Sequence, residues 1–445
     1  MTLKSLKPKP ELEKSERRLS IKVELVTPQL GGGAEARKAD PEQWLRAASV
    51  RGALRFWWRA LFAGNYTKDE LHAAESGIFG KTAKHDDINA PGKLAITIVI
   101  HKLAEQRLWD DYLSDDETRM KQEKAKSPEA SALSVAYFPA NKTKEEPSAR
   151  LLSPGVHATI TIWDASTVRS PQSKLRAAQW TEVLEAFRAY LLFGGSGGRT
   201  RRAAGAICVD SIQEAQKLAL PATTEAIQNW ITPYLDRPNQ TDSHDCFLLS
   251  RCEGLYVTSL RHDSGQEAQE TLLKMWRDFR QQRMHPRSWY GRGGWGKSKW
   301  PEATAVRSII KSNSPTDQQH SAPRAHLGLP IGIKFINEEA THDLVMLAPD
   351  ERGVIDRYAS PVLLAVTRLF DSGPSSKRCF VGLVLITRSL LPAKQKLVLK
   401  GHPDQPLQPG DWNAVIDSPT DPLGLREILK RDRFQQLVPV QGTTK

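Results

Sequence analysis

The sequence predicts an α+β protein built from two tandem β-α-β-β-α-β units with loop insertions. The chain has 445 residues, enough for two or more domains. Strands with alternating apolar residues and helices with a helical apolar period follow one another in that order over residues 19–212. A fainter version of the same order occupies residues 246–445. It is the order of the ferredoxin-like unit, in which four antiparallel strands carry both helices on one face.

The first unit has the clearer periodicity. Residues 1–18 are polar and charged and predict a basic tail, and Leu19–Thr27 then alternates as a half-buried strand does. Ser49 can cap a helix that Gly64 ends, and Gly52 within it is expected to allow close packing. The remaining predicted elements are strands at 94–100, 156–163 and 206–212 and a helix at 179–193. Residues 104–150 lack a pattern and predict an insertion outside the core.

The second unit follows a linker region at 213–245, which contains a helical piece and the linker-like stretch LDRPNQTDSHD. The predicted strands are 254–260, 329–335, 379–388 and 437–440, and the predicted helices are 266–283 and 422–434. The two units share too little sequence identity to demonstrate a duplication.

Composition favours a globular, soluble protein with a polyanionic partner. Hydrophobic residues make up 39% and charged residues 26%, with a net charge of +12 and a pI of about 9.4. Nucleic acid is favoured over a membrane, because no basic amphipathic segment stands at a terminus. The longest apolar runs are too short to span a bilayer, and the N-terminal residues do not resemble a signal peptide. We therefore expect a cytoplasmic protein.

Four cysteines give no strong sign of a metal site. Such sparse usage fits a reducing compartment. His244, Cys246 and Cys252 form a loose group, but a Cys-x-x-Cys knuckle and a fourth ligand are missing. We predict neither a metal nor another cofactor.

The segment GGSGGRTRRAAG, from Gly194 to Gly205, predicts a loop that binds a polyanion. Five glycines allow close backbone approach, and three arginines offer planar donors to phosphate. The loop follows a helix, where the helix dipole repels anions, so Arg199, Arg201 and Arg202 must supply the attraction. The nucleotide P-loop pattern fails, because a P-loop precedes its helix. The alternative is a glycine C-cap with solvated arginines, which needs fewer glycines.

Three arginines recur every four residues in VRGALRFWWRALFA. Arg51, Arg55 and Arg59 therefore lie on one helix face and repel one another. The stripe requires either acidic neighbours or a polyanion. The alternatives are a solvated face paired with carboxylates, or contact with RNA or another subunit.

A basic and aromatic stretch follows the first helix of the second unit. Arginine for phosphates and aromatic rings for bases are the usual means of binding single-stranded RNA. The alternative is that tryptophans attach the loop to the core, which we expect for at least one. The candidate RNA-binding residues here are Arg287, Trp289, Arg292, Lys297 and Lys299.

Several of these segments together resemble a known family. LVTPQLGGG, SVRGALRFWWRAL, ESGIFG and GGSGGRTRRAAG resemble the RAMP proteins of type III CRISPR systems. RGALRFWWRAL, GLPIGIKF and RYASPVLL look most like the subunit-one family of the Cmr (type III-B) complex. The resemblance covers residues 20–212 well and 285–370 in pieces.

The resemblance implies two tandem ferredoxin-like RAMP domains and a place near one end of a filament-like ribonucleoprotein that holds a guide RNA in antiviral defence. It implies contact with neighbouring RAMP subunits and a part in capturing target RNA, with the cleaving aspartate on a different subunit. Arg51, Arg55 and Arg59 would lie beside the RNA path. Ala203 and Ala204 depart from loops that often continue with glycine. The residues that would face RNA or a subunit are Gly194, Gly195, Gly197, Gly198, Arg199, Arg201 and Arg202.

Two other functions stay open. A RAMP-fold endoribonuclease that processes guide precursors would need a positioned base or acid, for which His72 and His85 are the nearest candidates. Neither stands in a recognisable catalytic context, so a non-catalytic subunit is favoured. A protein-interaction scaffold is the third function, and it would bind partners without RNA.

Overall fold

The structure is a computed structural model that describes most of the chain. The described residues are 17–35, 37–81, 92–113, 132–165, 175–235, 247–282, 298–311, 321–334, 341–347, 354–355, 357–370, 378–400, 402–420 and 422–438. The predicted tail at 1–18 lies almost wholly outside them. Within these ranges, no helix combines the length and the hydropathy that a membrane crossing requires.

The first half forms a ferredoxin-like unit, as predicted. Its elements are β1 Arg18–Leu25, α1 Ala47–Phe62, α2 Lys68–Phe79, β2 Leu94–Ile100, β3 Gln106–Leu108, α3 Ser134–Tyr137, β4 Arg150–Leu152, β5 Val156–Asp164, α4 Ala177–Phe193 and β6 Ile207–Val209. The main sheet has the order β2-β5-β1-β6, and every neighbouring pair is antiparallel. This arrangement is the ferredoxin-like sheet.

Alternation along β1 positions the first core. Ile21, Val23 and Leu25 are fully buried and pack with α1 and α4 in one hydrophobic cluster. The pairing with β5 runs without a break from Arg18 opposite Trp163 to Leu25 opposite Val156. A slip of one residue would turn these side chains to the other face, so the pattern fixes the register.

Helix α1 starts and packs differently from the prediction. It begins at Ala47 with Arg46 as the N-cap, so Ser49 lies in the first turn and does not cap it. Gly52 is exposed, and a Cβ added there would meet no atom within 4 Å. Gly52 therefore does not serve close packing.

The second half repeats the unit and carries insertions. Its elements are α5 Ile212–Leu218, α6 Thr224–Leu235, β7 Cys252–Thr258, α7 Gly265–Gln281, α8 Glu302–Lys311, β8 Ile331–Lys334, β9 Thr341–Leu347, β10 Val354–Ile355, β11 Val362–Phe370, β12 Arg378–Thr387, β13 Leu397–Leu399, β14 His402–Leu407, α9 Trp412–Ile416, α10 Leu425–Arg431 and β15 Phe434–Val438. The main sheet has the order β11-β12-β7-β15, again antiparallel.

The prediction for the second strand of this unit is wrong. The predicted strand at 329–335 is β8, which pairs with β9 in a separate five-stranded inserted sheet. Its place in the main sheet is taken by β11, which is buried at all of its positions. One face of β11 packs against α7 and the other against α4. A strand covered on both faces shows a continuous apolar run without alternation.

The 104–150 insertion, predicted to lie outside the core, packs within it. Trp109 and Tyr137 are fully buried, and the Tyr137 hydroxyl accepts a hydrogen bond from Gln269 of α7 at 2.8 Å. The insertion was misjudged because this contact comes from a distant part of the chain. The helical piece predicted in the linker region is α6, whose Ile227 and Ile231 are fully buried.

Candidate nucleic-acid interface

The arginine stripe of α1 has an acidic neighbour. Arg59 donates two hydrogen bonds to the Glu75 carboxylate of α2, at 2.7 and 2.8 Å, and Arg55 lies 3.6 Å from it. Arg51 donates to the Leu94 carbonyl at 2.8 Å. Glu75 is buried, so one carboxylate balances two arginines at the α1–α2 contact. Contact of the stripe with RNA stays a prediction.

The glycines of the loop permit close backbone contacts. Gly197 has φ +82°, and a Cβ there would lie 2.6 Å from the Leu30 carbonyl oxygen. The Gly198 amide donates to that same oxygen at 2.7 Å. Gly205 has φ +64°, and an added Cβ would lie 1.9 Å from the Ser196 oxygen. The loop 194–205 thus packs against Leu30, in the segment that follows β1, and its own residues Ser196 and Gly205 are in close contact.

Ala203 and Ala204, where loops of this kind often continue with glycine, lie in the interior. Ala203 has φ 59° and is buried together with Ala204. The Ala203 carbonyl accepts hydrogen bonds from Thr27 at 2.7 Å and from Gln269 of α7 at 2.9 Å. A methyl side chain fills this contact between the two units.

Arg201 and Arg202 cross to the second unit. Arg201 donates to the Ser360 carbonyl at 3.0 Å, and Arg202 donates to the Val362 carbonyl at 2.8 Å. The Arg202 guanidinium lies 4.6 Å from the ring centroid of Trp276. The Leu364 amide donates to the Arg201 carbonyl at 3.0 Å, so the loop covers the free edge of β11.

Arg199 stays accessible. It is exposed, donates to the carbonyls of Val135 and Ala136 at 3.2 Å each, and lies 4.6 Å from the ring centroid of Phe138. Phe138 itself is 54% exposed. The Arg199 guanidinium of the loop therefore lies beside an exposed aromatic ring on the segment that connects β3 and β4.

These arginines line a cleft between the two units. The cavity measures about 1050 Å³, and Asp343 is the one carboxylate among the described residues that line it. Its six arginines come from the loop, from α7 and from the segment after α8: Arg199, Arg201, Arg202, Arg277, Arg280 and Arg324. We name this cavity, with the six arginines that line it, the arginine cleft. Arg277 and Arg280 lie within the predicted helix 266–283, and no motif in the sequence pointed to Arg324.

Two of the six have acidic partners. Arg277 contacts Asp278 at 3.1 Å, and Arg324 contacts the buried Glu302 at 3.3 Å. Within the described part of the chain, no carboxylate forms an ion pair with any of the other four. The cleft therefore carries an excess of positive charge.

Burial and mutual repulsion act on these charges together. Burial lowers the pKa of Arg202 well below its usual range, and the charges of Arg280, Arg199 and Arg201 lower it further. Burial lowers the pKa of Arg280 to about 10, and the positive charges of Arg324 and Arg199 contribute to this decrease. An anion bound next to such a guanidinium stabilises its charged form. The electrostatics of the cleft thus favour a bound anion.

Of the predicted RNA-binding basic and aromatic residues after α7, the structure describes Lys299. Arg287, Trp289, Arg292 and Lys297 lie outside the described residues. The Lys299 amide donates to the Gln282 carbonyl at 2.9 Å, next to the end of α7. Trp300 is buried and donates to the Phe279 carbonyl at 3.1 Å, so one tryptophan does attach the loop to the core, as expected.

Of the candidate catalytic and metal-binding residues, the structure describes His72 and Cys252. His72 is exposed on α2, and His85 lies outside the described residues, as do His244 and Cys246. Cys252 is buried as a free thiol.

One further cluster had no signal in the sequence. Glu24, His157 and Asp210 bring their ligand atoms within 4.8 Å of one another. Glu24 already forms an ion pair with Arg368 of β11, so the cluster serves the contact between the two sheets. Cross-strand neighbours of this kind become visible only once the register is known.

Comparison with known proteins supports the fold. Residues 22–208 match the model of the RAMP superfamily. The chain is similar to Cmr1 from Pyrococcus furiosus in its apo form, with 12% identity over 95% of this chain and 99% of that chain and a TM-score of 0.50. No curated protein matches the sequence.

Two further similar chains come from type III-B Cmr-β. One, bound to cognate target RNA, has 12% identity over 84% of this chain and 96% of that chain, with a TM-score of 0.40. The other, bound to target RNA and AMPPnP in the presence of ssDNA, has 11% identity over 83% and 94%, with a TM-score of 0.41.

The RAMP match spans the first ferredoxin-like unit, from β1 through the glycine-arginine loop into β6. The likeness to Cmr1 extends over both units and establishes that the tandem fold is shared. The first unit is therefore similar to the RAMP superfamily over residues 22–208.

Proposed function

We propose that this protein is a non-catalytic, RNA-binding subunit of a type III-B Cmr ribonucleoprotein, and that it holds RNA in the arginine cleft. The observation that carries the proposal is the cleft itself, where four arginines lack a carboxylate partner among the described residues. Guide RNA, target RNA and neighbouring RAMP subunits are the proposed partners. The RAMP fold and its likeness to Cmr1 support this assignment.

The shape and chemistry of the cleft favour a polymer. Pockets for small molecules measure roughly 300–1,000 Å³ and are mostly apolar. The arginine cleft reaches about 1050 Å³ and is lined by six guanidinium groups. Arginine forks bind phosphate in a bidentate manner and read no base sequence. In a guide-directed complex, base pairing would supply the specificity.

The lining of the cleft favours holding over cutting. RNA cleavage by general acid–base catalysis needs a positioned pair of groups, most often including histidine. No histidine is among the described residues that line the cleft, and Asp343 is the lone carboxylate. We therefore assign no hydrolytic step to this site. Docking onto acidic neighbours, as a scaffold would do, is compatible with the same surface.

The test is RNA binding by a variant that leaves the contact between the units intact. Arg199→Ala/Arg280→Ala removes two cleft charges, whereas Arg201 and Arg202 are kept because they hold β11. Arg18→Ala/Arg150→Ala is the matched control, since both are exposed and neither lines the cleft. With single-stranded RNA, the slope of log affinity against log salt should fall by about 1.4 in the cleft variant, or about 0.7 for each phosphate that is no longer neutralised.

Two results would contradict the proposal. Equal slopes and affinities in the cleft variant, the control and the unchanged protein would exclude the cleft as the RNA site. RNA cleavage by the purified unchanged chain would exclude the non-catalytic role, and His72→Ala and His85→Ala would then test the two candidate bases.

A further inference from the structure

A second cavity adjoins the arginine cleft. It measures about 320 Å³, and both cavities are lined by Arg201, Tyr358, Ala359 and Ser360. These four residues therefore lie between the two spaces. We name the smaller cavity the Arg201 pocket. A strand held in the cleft could reach it by turning round Arg201.

The lining of this pocket matches the parts of a nucleotide. It contains four arginines and three aromatic rings, and no carboxylate is among the described residues that line it. Arg357 and Arg388 are exposed, and neither forms an ion pair with a carboxylate in the described ranges. Arginines of this kind suit a phosphate. Aromatic rings and guanidinium planes suit a base.

Tyr358 and Arg201, which line the pocket, are held in place by contacts within the protein. The Tyr358 hydroxyl accepts hydrogen bonds from the amides of Leu390 and Leu391, at 2.8 and 3.0 Å. The Arg201 guanidinium lies 5.3 Å from the Phe56 ring centroid and 5.4 Å from that of Phe247. Side chains held in place lose little conformational entropy when a ligand binds.

The size and the rim limit what can enter. About 320 Å³ is the small end of the range of roughly 300–1,000 Å³ for ligand pockets, too small for a stretch of polymer. Leu390 at the rim is 43% exposed, an apolar surface that a base could cover. We propose that the Arg201 pocket takes one unpaired nucleotide of the RNA strand held in the arginine cleft. This inference rests on the proposed function.

The experiment uses the full chain and single-stranded RNA with 4-thiouridine at one position at a time. After irradiation, cross-linked peptides are mapped by mass spectrometry. We expect one position to cross-link to peptides containing Phe247 or Tyr358, while other positions cross-link to the cleft. Arg357→Ala/Arg388→Ala should abolish that one cross-link and weaken RNA binding about tenfold for each arginine removed. Arg18→Ala/Arg150→Ala should change neither.

The outcomes separate this inference from the proposed function. If the Arg199→Ala/Arg280→Ala variant loses RNA but the pocket variant binds and cross-links like the unchanged protein, the pocket inference is wrong and the cleft proposal stands. If the unchanged protein binds no RNA, both are wrong. A titration with AMP alone checks for a free nucleotide. Binding of AMP that Arg357→Ala/Arg388→Ala abolishes, without a pocket cross-link from RNA, would overturn an RNA nucleotide as the occupant.

Discussion

Neutralising Glu75 tests whether the arginine stripe of α1 is held by protein or awaits RNA. Glu75→Gln removes the charge that balances Arg55 and Arg59. Charged hydrogen bonds contribute about 1.5–3 kcal/mol each. The side chains of Arg55 and Arg59 are 33% and 46% exposed, so solvent screening reduces the contribution, and the glutamine oxygen can still accept one hydrogen bond. We expect a decrease of about 1–3 kcal/mol in stability.

The assay combines thermal unfolding with hydrogen exchange. Because the chain has several hydrophobic cores, a single two-state unfolding free energy is not assumed. Faster exchange confined to α1 and α2 would localise the effect. Glu145→Gln, at an exposed site, is the matched control and should stay within about 0.5 kcal/mol of the unchanged protein.

RNA affinity decides between the two hypotheses for the stripe. If Glu75 is the partner that the stripe requires, Glu75→Gln should destabilise the α1–α2 contact and leave RNA affinity nearly unchanged. Unchanged exchange in α1 and α2 together with tighter RNA binding would refute this reasoning. It would mean that the arginines are free to take phosphate in place of the carboxylate.

Three further predictions concern stability. Gly52→Ala should stabilise the protein by about 0.5–1 kcal/mol in thermal unfolding, because the exposed helical position has room for a methyl group, and a decrease in stability would contradict the observed packing. Gly205→Ala should cost at least about 2 kcal/mol, since its Cβ would collide with the Ser196 oxygen at positive φ, and an unchanged melting temperature would show that the loop adapts. His326 is buried and donates from Nε2 to the Gly410 carbonyl, and burial lowers its pKa. Since the unfolded state then binds the proton more readily, stability should fall as pH drops through about 6.5, the unfolded value. The decrease in stability at low pH should be smaller in His326→Gln than in the unchanged protein. Equal pH profiles of stability in the two proteins would contradict this prediction.

Local pattern predicted most of the first unit. The predicted strands near 19–27 and 156–163 alternate, and the structure confirms them as β1 and β5. The apolar run LAITIVI at 94–100 predicted a buried strand; it forms β2, but Val99 there is 54% exposed. In contrast, β11 is covered on both faces and shows no alternation, so its place in the second sheet was missed. The buried Tyr137 contacts Gln269 of α7, 132 residues away, and no local signal in the sequence reports this contact.

The candidate site was predictable only in part. The loop was recognisable because glycines and arginines are concentrated within twelve residues. Its arginines, however, have different surroundings: Arg202 is buried against β11, whereas Arg199 is exposed. The pairing of Arg59 with Glu75 depends on how α1 and α2 pack. Formation of the cleft from three distant segments follows from the arrangement of the two units, which no spacing along the chain encodes.

Arginine footprinting tests the central claim most directly. Phenylglyoxal modification, followed by mass spectrometry with and without single-stranded RNA, measures the accessibility of each guanidinium. We predict that RNA protects Arg199 and Arg280 in the cleft, while Arg18 and Arg150 react equally in both conditions. Equal modification of Arg199 and Arg280 at saturating RNA would contradict an RNA-binding cleft.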